Sequence, residues 1–351
     1  MKLLILTQKV DQNDDLLGFF HKWIEEFSSY FETVIVICLE KGSYNLPSNV
    51  KVFSLGKELK ISKIKILFNF YKLIWCLRND YDAVFVHMNN AYIVLGGLLW
   101  KLWHKRIWLW YTHKSVDIFL AIAEKIVDNI FTASRKSFRL KSNKIMVMGH
   151  GIDVEKFRIK NFKFSKNKKF KIITVGRISP VKNYEVLIEA INIIVKQGIE
   201  VDVEIIGGPS TFEQKKYFDD LRKIVKEKKL DNVINFVGSV PYKENLRYFQ
   251  SADLFVHMSQ TGSLDKVILE SMACGVVVLS SNDASREILN EKYSDLIFRD
   301  GDFRELAEKI IKVKNYLEMT KNNMSEELRD IVKKNHNLNN LIKSLADVIK
   351  K

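Results

Sequence analysis

The sequence predicts an α/β protein made of two parallel-sheet, nucleotide-fold domains, and three observations carry the prediction. Short apolar runs alternate with helix-length amphipathic segments along nearly all of the 351 residues, the pattern of successive βαβ units. That length exceeds one ordinary core and suits two domains of about 150–200 residues each. The alternation breaks once, in the lysine-rich stretch 161–169, and restarts at Phe170-Lys171-Ile172-Ile173-Thr174-Val175-Gly176.

In chain order, strands are expected at residues 3–7, 34–38, 83–87, 107–111, 129–132 and 145–148, with helices in the gaps. A second series is expected at 170–176, 201–206, 233–237, 254–257, 276–279 and 296–298. Beyond Phe303 the chain reads as all helical, and 337–350 sets Leu338, Leu341, Ile342, Leu345, Val348 and Ile349 at helical spacing. The expected organisation is a first domain over 1–160, a second over 170–335 and a terminal helix over 336–351.

Hydrophobic content of 47%, a mean hydropathy of −0.09 and only four prolines describe a globular body with ample core material. Cys38, Cys76 and Cys274 are odd in number, lie in apolar surroundings and lack metal-ligand spacing. They argue against a disulfide framework or zinc site and for a reducing cytoplasm. The apolar run at 1–7 is too short for a signal-peptide core, and 91–110 is interrupted by Gly96, Gly97, Lys101, His104, Lys105 and Arg106. No exported or membrane-spanning segment is therefore expected. A net charge of +14 and a pI near 9.4 either call for an acidic partner or reflect a lysine-rich solvated surface. The densest run is Lys160, Lys163, Lys166, Lys168, Lys169 and Lys171; no nucleic-acid motif accompanies it, so nucleic acid is not an expected partner.

The most informative segment is 262–280. Gly262-Ser263-Leu264-Asp265-Lys266 is a small-residue loop entering a short helix, which Gly275 stops before a buried apolar strand. That layout aims backbone N–H groups at an anion. Glu270 lies inside the helix, where a carboxylate accepts two hydrogen bonds from a ribose diol while the helix start holds phosphates. Asp265 reads two ways, as a sugar-binding group or as a carboxylate set against the helix dipole. Upstream, Gly176-Arg177-Ile178-Ser179-Pro180-Val181-Lys182-Asn183 follows the first strand of the second domain and carries two cations in one loop.

These segments resemble the retaining glycosyltransferases of family 4. Glu270-Ser271-Met272-Ala273 and the Gly275-Val276-Val277-Val278 strand are similar to the family's Glu-Ala-Met-Ala and Gly-x-Pro-Val-Val. Residues 176–183 are similar to its Gly-Arg-Leu-x-x-x-Lys-Gly, with Asn183 for the last glycine, and Gly262 stands where the family has a donor-sugar acid. The resemblance implies the GT-B fold: two Rossmann-like domains facing each other across a cleft, with a C-terminal helix crossing back onto the first.

It also implies roles. Arg177 and Lys182 would stabilise the departing diphosphate, each worth about 2–4 kcal/mol as preorganised charge, and Glu270 would anchor the ribose. Gly176, Gly262, Ser263, Leu264, Asp265 and Lys266 would line the donor site. Gly207 and Gly238 are similar to family loops near the nucleotide base and read equally as plain turns. His113, just past the 107–111 strand, is similar to the family histidine facing the donor sugar, although a lone histidine there also serves structure. Gly151, in Gly149-His150-Gly151-Ile152-Asp153, is similar to a family hinge turn. Gly18 remains of a glycine-rich loop; Asp15 is expected to cap the following helix, and Asp14, Gly18 and His21 are acceptor-binding candidates.

The reading is a cytoplasmic, retaining, metal-independent hexosyltransferase with no cofactor. It would take a UDP-sugar as donor and a hydroxyl of a glycan or lipid-linked acceptor. No divalent ion is expected on the diphosphate. The rivals are a GT-B sugar-nucleotide epimerase or hydrolase, and a non-catalytic basic membrane-binding protein. Peripheral attachment to an anionic inner leaflet is expected from two clusters: a polar stripe of Ser62, Lys65, Asn69 and Lys72 along 61–78, and Trp100-Lys101-Leu102-Trp103-His104-Lys105-Arg106.

Overall fold

A computed structural model describes residues 1–157, 169–259, 262–289, 291–316 and 318–351. The chain forms two compact units, one of residues 1–151, 241–243 and 338–351, the other of 152–240 and 244–337. The lysine-rich connection expected between domains, with Lys160, Lys163, Lys166 and Lys168, lies outside the described residues.

The first unit is built on a seven-stranded sheet of β1 (Lys2–Val10), β2 (Thr33–Lys41), β3 (Val50–Ser54), β4 (Ala83–His87), β5 (Arg106–Trp110), β6 (Asn129–Thr132) and β7 (Ile145–Val147). Their order is β3-β2-β1-β4-β5-β6-β7, and every pairing is parallel. Central strands buried on both faces need unbroken apolar runs, and β1 obeys: Leu3 and Ile5 enter one core, Leu4 and Leu6 the other. β3 lies in a stretch expected to be helical. Its five residues form a half-buried edge strand whose Lys51 stays exposed.

Helices α1 (Gly18–Ser28) and, at the far end of the sequence, Leu338–Lys350 cover one face of this sheet. The terminal helix inserts Leu338, Leu341, Ile342, Leu345 and Ile349 into the core, so it crosses back onto the first unit as expected. On the other face lie α2 (Lys63–Cys76), α3 (Ala91–Leu102) and α4 (Ile118–Ile126). Several residues of the two clusters expected at a membrane instead have partners within this unit. Trp100 is fully buried and donates to the Tyr81 hydroxyl at 3.0 Å, Lys101 pairs with Asp128, and Lys105 donates to the Tyr81 carbonyl. Ser62 caps α2 by accepting from the Lys65 amide, and Asn69 turns toward the sheet to donate to the Leu55 carbonyl.

The second unit holds β8 (Phe170–Val175), β9 (Val201–Ile206), β10 (Ile234–Gly238), β11 (Leu254–His257) and β12 (Val277–Ser280), all parallel in the order β10-β9-β8-β11-β12. Its helices are α5 (Tyr184–Lys196), α6 (Phe212–Glu227), α7 (Asn245–Ser251), α8 (Lys266–Ala273), α9 (Ser285–Leu289), α10 (Phe303–Lys314) and α11 (Glu318–Asn335); the terminal helix of the first unit is α12. The strand expected at 296–298 does not form. Short 3-10 turns over Glu291–Leu296 lead into a single bridge between Ile297 and Ser280, one rung at the sheet edge. No helix among the described residues is long and apolar enough to cross a membrane.

Candidate functional site

Each sheet reverses its strand order once, between β1 and β4 and between β8 and β11. At such a switch point the loops leaving the carboxyl ends of the two strands diverge, and a ligand crevice opens between them. In the second unit those loops start at Gly176 and Met258, and their described residues, 176–183, 258–259 and 262–265, include the segments that carry the sequence motifs.

The loop after β8 is shaped by backbone contacts. A Cβ on Gly207 (φ +137°) would lie 1.9 Å from the Gly176 carbonyl oxygen, and Gly207 donates its N–H to the Gly238 carbonyl at 2.9 Å. Gly238 itself has φ +88°. The close approach at Gly207 and the positive φ at both positions explain why glycine stands there. Asn183 sits in the left-handed region (φ 52°), a conformation asparagine tolerates better than most residues, as it stands in for glycine. Pro180–Lys182 forms a 3-10 turn that carries Lys182 back over Gly176, whose added Cβ would touch the lysine stem at 3.5 Å. Arg177 is exposed and pairs with no acid among the described residues.

The loop after β11 meets Lys182 at Asp265. The lysine ammonium and the Asp265 carboxylate form a short ion pair, and His257 Nε2 lies 2.8 Å from the same carboxylate oxygen. Burial opposes the Asp265 charge, but Lys182 and His257 outweigh it and hold the acid well below the usual carboxylate range. Burial lowers the His257 pKa despite Asp265, so the ring is neutral and donates Nε2–H to the carboxylate. Asp265 is the N-cap of α8, yet its side chain makes no capping hydrogen bond, because it is spent on Lys182 and His257. Of the two readings of Asp265, neither foresaw this bridging role.

Beyond Asp265, α8 carries Lys266 in its first turn and Glu270 one turn on, fully buried. Burial pushes the Lys266 ammonium down to about 7, against the pull of Glu270, and Lys156 adds repulsion. Lys156 is lowered by burial too. The 262–265 loop is braced from behind: Asn282 Nδ2 donates to the Ser263 carbonyl at 3.0 Å, and the Ser280–Ser285 hydroxyl pair secures the Asn282 turn. The Ser263 hydroxyl is buried with no hydrogen-bond partner among the described residues.

The structure thus gathers Gly176, Lys182, Asp265, Lys266 and Glu270 in one unit, with Gly207 and Gly238 bracing the loop. Sequence reasoning missed His257, Lys156 and Asn282. His257 ends an apolar strand eight residues before Asp265, and only the folded chain brings the two side chains together.

The first-unit candidates sit at two places, Asp14, Gly18 and His21 at the entry to α1 and His113 beyond β5. Asp14, not Asp15, organises the entry to α1: its carboxylate accepts from the Leu16 and Leu17 amides at 2.9 and 2.8 Å and pairs with Lys9 at 2.8 Å. Asp15 is exposed. Gly18 is buried at the start of α1, His21 Nε2 accepts from the Asn45 amide at 3.1 Å, and burial lowers the His21 pKa. His113 is exposed beyond β5, where its Nδ1 accepts from the Ser115 amide at 3.1 Å.

Among solved structures, the chain is similar to Anabaena HepE, crystallised in complex with UDP, with a TM-score of 0.79, 17% identity and complete coverage of both chains. It is also similar to a sucrose-phosphate synthase from Thermosynechococcus elongatus (TM-score 0.78, 13% identity, covering 100% of this chain and 98% of that one). Both carry the fold expected from the sequence. In sequence it is 24% identical over 250 residues to an uncharacterized glycosyltransferase of Methanocaldococcus jannaschii, covering 68% of this chain and 59% of that protein. It is 28% identical over 179 residues to the amylovoran biosynthesis glycosyltransferase AmsK of Erwinia amylovora, covering 49% and 42%. The chain spans about half the length of the curated relatives it matches. A sequence profile described as "Glycosyl transferases group 1" matches residues 155–348, more than half of the chain, and includes every charged group of the second-unit crevice; the chain belongs to that family.

Proposed function

We propose that the protein is a retaining, metal-independent hexosyltransferase that moves a sugar from a UDP-sugar to a hydroxyl of a glycan or lipid-linked acceptor. The observation that carries this reading is the convergence, at one switch point, of the Arg177–Lys182 loop with the start of α8 and its buried Glu270. Lys182 pairs with Asp265, Lys156 and Lys266 lie in the field of Glu270, and Arg177 stands on the loop that carries Lys182, so cationic side chains gather where a diphosphate would bind. The diphosphate rests on the α8 start and the Ser263 hydroxyl. Glu270 accepts from the ribose diol, and Lys182 and Arg177 meet the charge that grows on the leaving group.

In the transfer step the acceptor oxygen bonds to the anomeric carbon on the face the diphosphate leaves. The bond from that carbon to the phosphate oxygen breaks with its electron pair on oxygen, and the acceptor proton passes to that oxygen. No protein base or metal ion takes part. AmsK, named for amylovoran biosynthesis, and HepE, crystallised with UDP, support a glycan product and a uridine nucleotide. Three free thiols, one of them the exposed Cys76, support work in a reducing cytoplasm.

The test is to incubate the purified chain with UDP- and GDP-sugars and candidate acceptors in chelator, and to read the anomeric configuration of the product by NMR. Transfer from a UDP-sugar with retention is expected. Inversion, or strict dependence on a divalent ion, overturns the mechanism; donor breakdown that ignores acceptor identifies a hydrolase.

A further inference from the structure

Helix α2 is apolar on two opposite faces. Ile66, Phe70, Leu73 and Ile74 pack onto the first sheet. Ile64, Phe68, Tyr71 and Trp75 recur at helical spacing on the other side and are exposed. A soluble surface helix keeps that side polar. The outward stripe continues across neighbouring helices. Tyr71 donates its hydroxyl to the Leu95 carbonyl of α3 at 3.2 Å, the Trp75 and Trp103 rings meet edge-on at 5.8 Å, and Gly97 of α3 lets α4 approach until an added Cβ would lie 2.7 Å from Ile126. Along this face Ile64, Phe68, Leu98, Leu102 and Ile118 are each between 65% and 81% exposed. Single exposed apolar side chains are ordinary; a run of them on three adjoining helices marks an interaction surface.

The charges around the stripe identify what covers it. Neither α2 nor α3 contains an aspartate or glutamate, while Lys63, Lys65 and Lys72 of α2 and Lys60 just before it are exposed. On the helix wheel Lys63 falls to one side of the apolar stripe and Lys65 and Lys72 to the other. A second copy of the same face would oppose lysine to lysine. A nucleic acid would engage the lysines and leave the leucines and Phe68 in water. A bilayer with anionic headgroups satisfies both: the apolar side chains enter the acyl boundary, and the lysines reach back to the headgroups.

We propose that the outward face of α2, α3 and α4 docks on an anionic lipid bilayer, with Ile64, Phe68, Trp75, Leu98 and Leu102 inserted and Lys63, Lys65 and Lys72 on the headgroups. Docking is independent of the transferase reading, because it is measured without donor or acceptor. The full chain is floated with vesicles of phosphatidylcholine alone or with phosphatidylglycerol added, at low and high salt. Binding only to the anionic vesicles, weakened by salt, is expected. Trp75 is half exposed, so a blue shift of tryptophan emission on binding should vanish in Trp75→Phe. The combined variant Phe68→Ser, Leu98→Ser, Leu102→Ser alters only exposed positions and should lower vesicle affinity at least about ten-fold. Lys63→Glu, Lys65→Glu, Lys72→Glu should lower it on the order of a hundred-fold. Circular dichroism confirms that both variants fold. The proposal is overturned if the wild-type chain ignores anionic vesicles at low salt, if the serine variant binds as well as wild type, or if that variant instead abolishes a dimer of the free protein.

Discussion

The two switch points of this protein share one topology and hold opposite contents. Between β8 and β11 the crevice is edged by charge: Lys182, Asp265 and His257 in one network, Lys266 and Glu270 in the next turn. Between β1 and β4 the equivalent space is filled by rings. Phe20 stacks on His87 with centroids 3.8 Å apart, Phe19 and Trp23 each lie 6.0 Å from the His87 ring, and the Thr7 hydroxyl lies 3.3 Å from His87 Nδ1. The strand order opens a crevice in both sheets, but side chains decide whether it is occupied from within. A crevice filled by aromatic packing contributes stability, whereas a charged one invites a ligand of opposite charge.

The largest effect that would break this comparison lies in the aromatic crevice. Phe20→Ala should cost about 3–4 kcal/mol in urea unfolding, as expected for a fully buried ring. The UDP affinity of the folded variant should not change. A parallel loss of affinity by calorimetry would mean that the first crevice also serves the donor.

In the charged crevice, Glu270→Ala and Lys182→Ala should each reduce transfer at least about 100-fold, near 2.7 kcal/mol of lost transition-state stabilisation, with circular dichroism unchanged. Near-normal turnover in either folded variant would remove that residue from the site.

A smaller effect sharpens the role of the bridging acid. Asp265 holds Lys182 in place from one side while His257 holds Asp265 from the other. Asp265→Asn should therefore lower kcat about ten-fold without weakening UDP binding, because the loss is of aim rather than of cationic charge. His257→Gln, which keeps a donor, should retain more activity than His257→Leu. Equal loss in both would reduce His257 to packing.

The smallest expected signal is a proton. Lys266 is depressed to about 7 in the free protein, so at pH 8 it is mostly neutral, and a bound diphosphate would raise its pKa. UDP binding at pH 8 should then take up a fraction of a proton and weaken as pH rises above about 7. Calorimetry in buffers of different ionisation enthalpy measures the uptake, which Lys266→Met should abolish. Proton release on binding would contradict the assignment.

Much of this was legible in the residues alone. Period-2 and uninterrupted apolar runs located most strands, because a strand buried on both faces cannot hide its composition. The loop chemistry of 176–183 and 262–270 stood out for a similar reason: glycines, a helix start and fixed charges within a few residues form local patterns. β3 was passed over because a half-buried edge strand leaves a weak pattern, and the strand expected at 296–298 failed because apolar residues beside a sheet edge need not join its ladder.

What the sequence determined by itself was therefore local: the two parallel sheets, the terminal helix with its single apolar stripe, and the family's charged loops. The tertiary structure decided which side chains meet. His257 and Asp265 meet between the end of β11 and the start of α8, and Lys182 reaches them because β8 lies beside β11. It alone decided which of the two apolar faces of α2 would be buried, since helical spacing identifies faces and only packing against the sheet chooses between them.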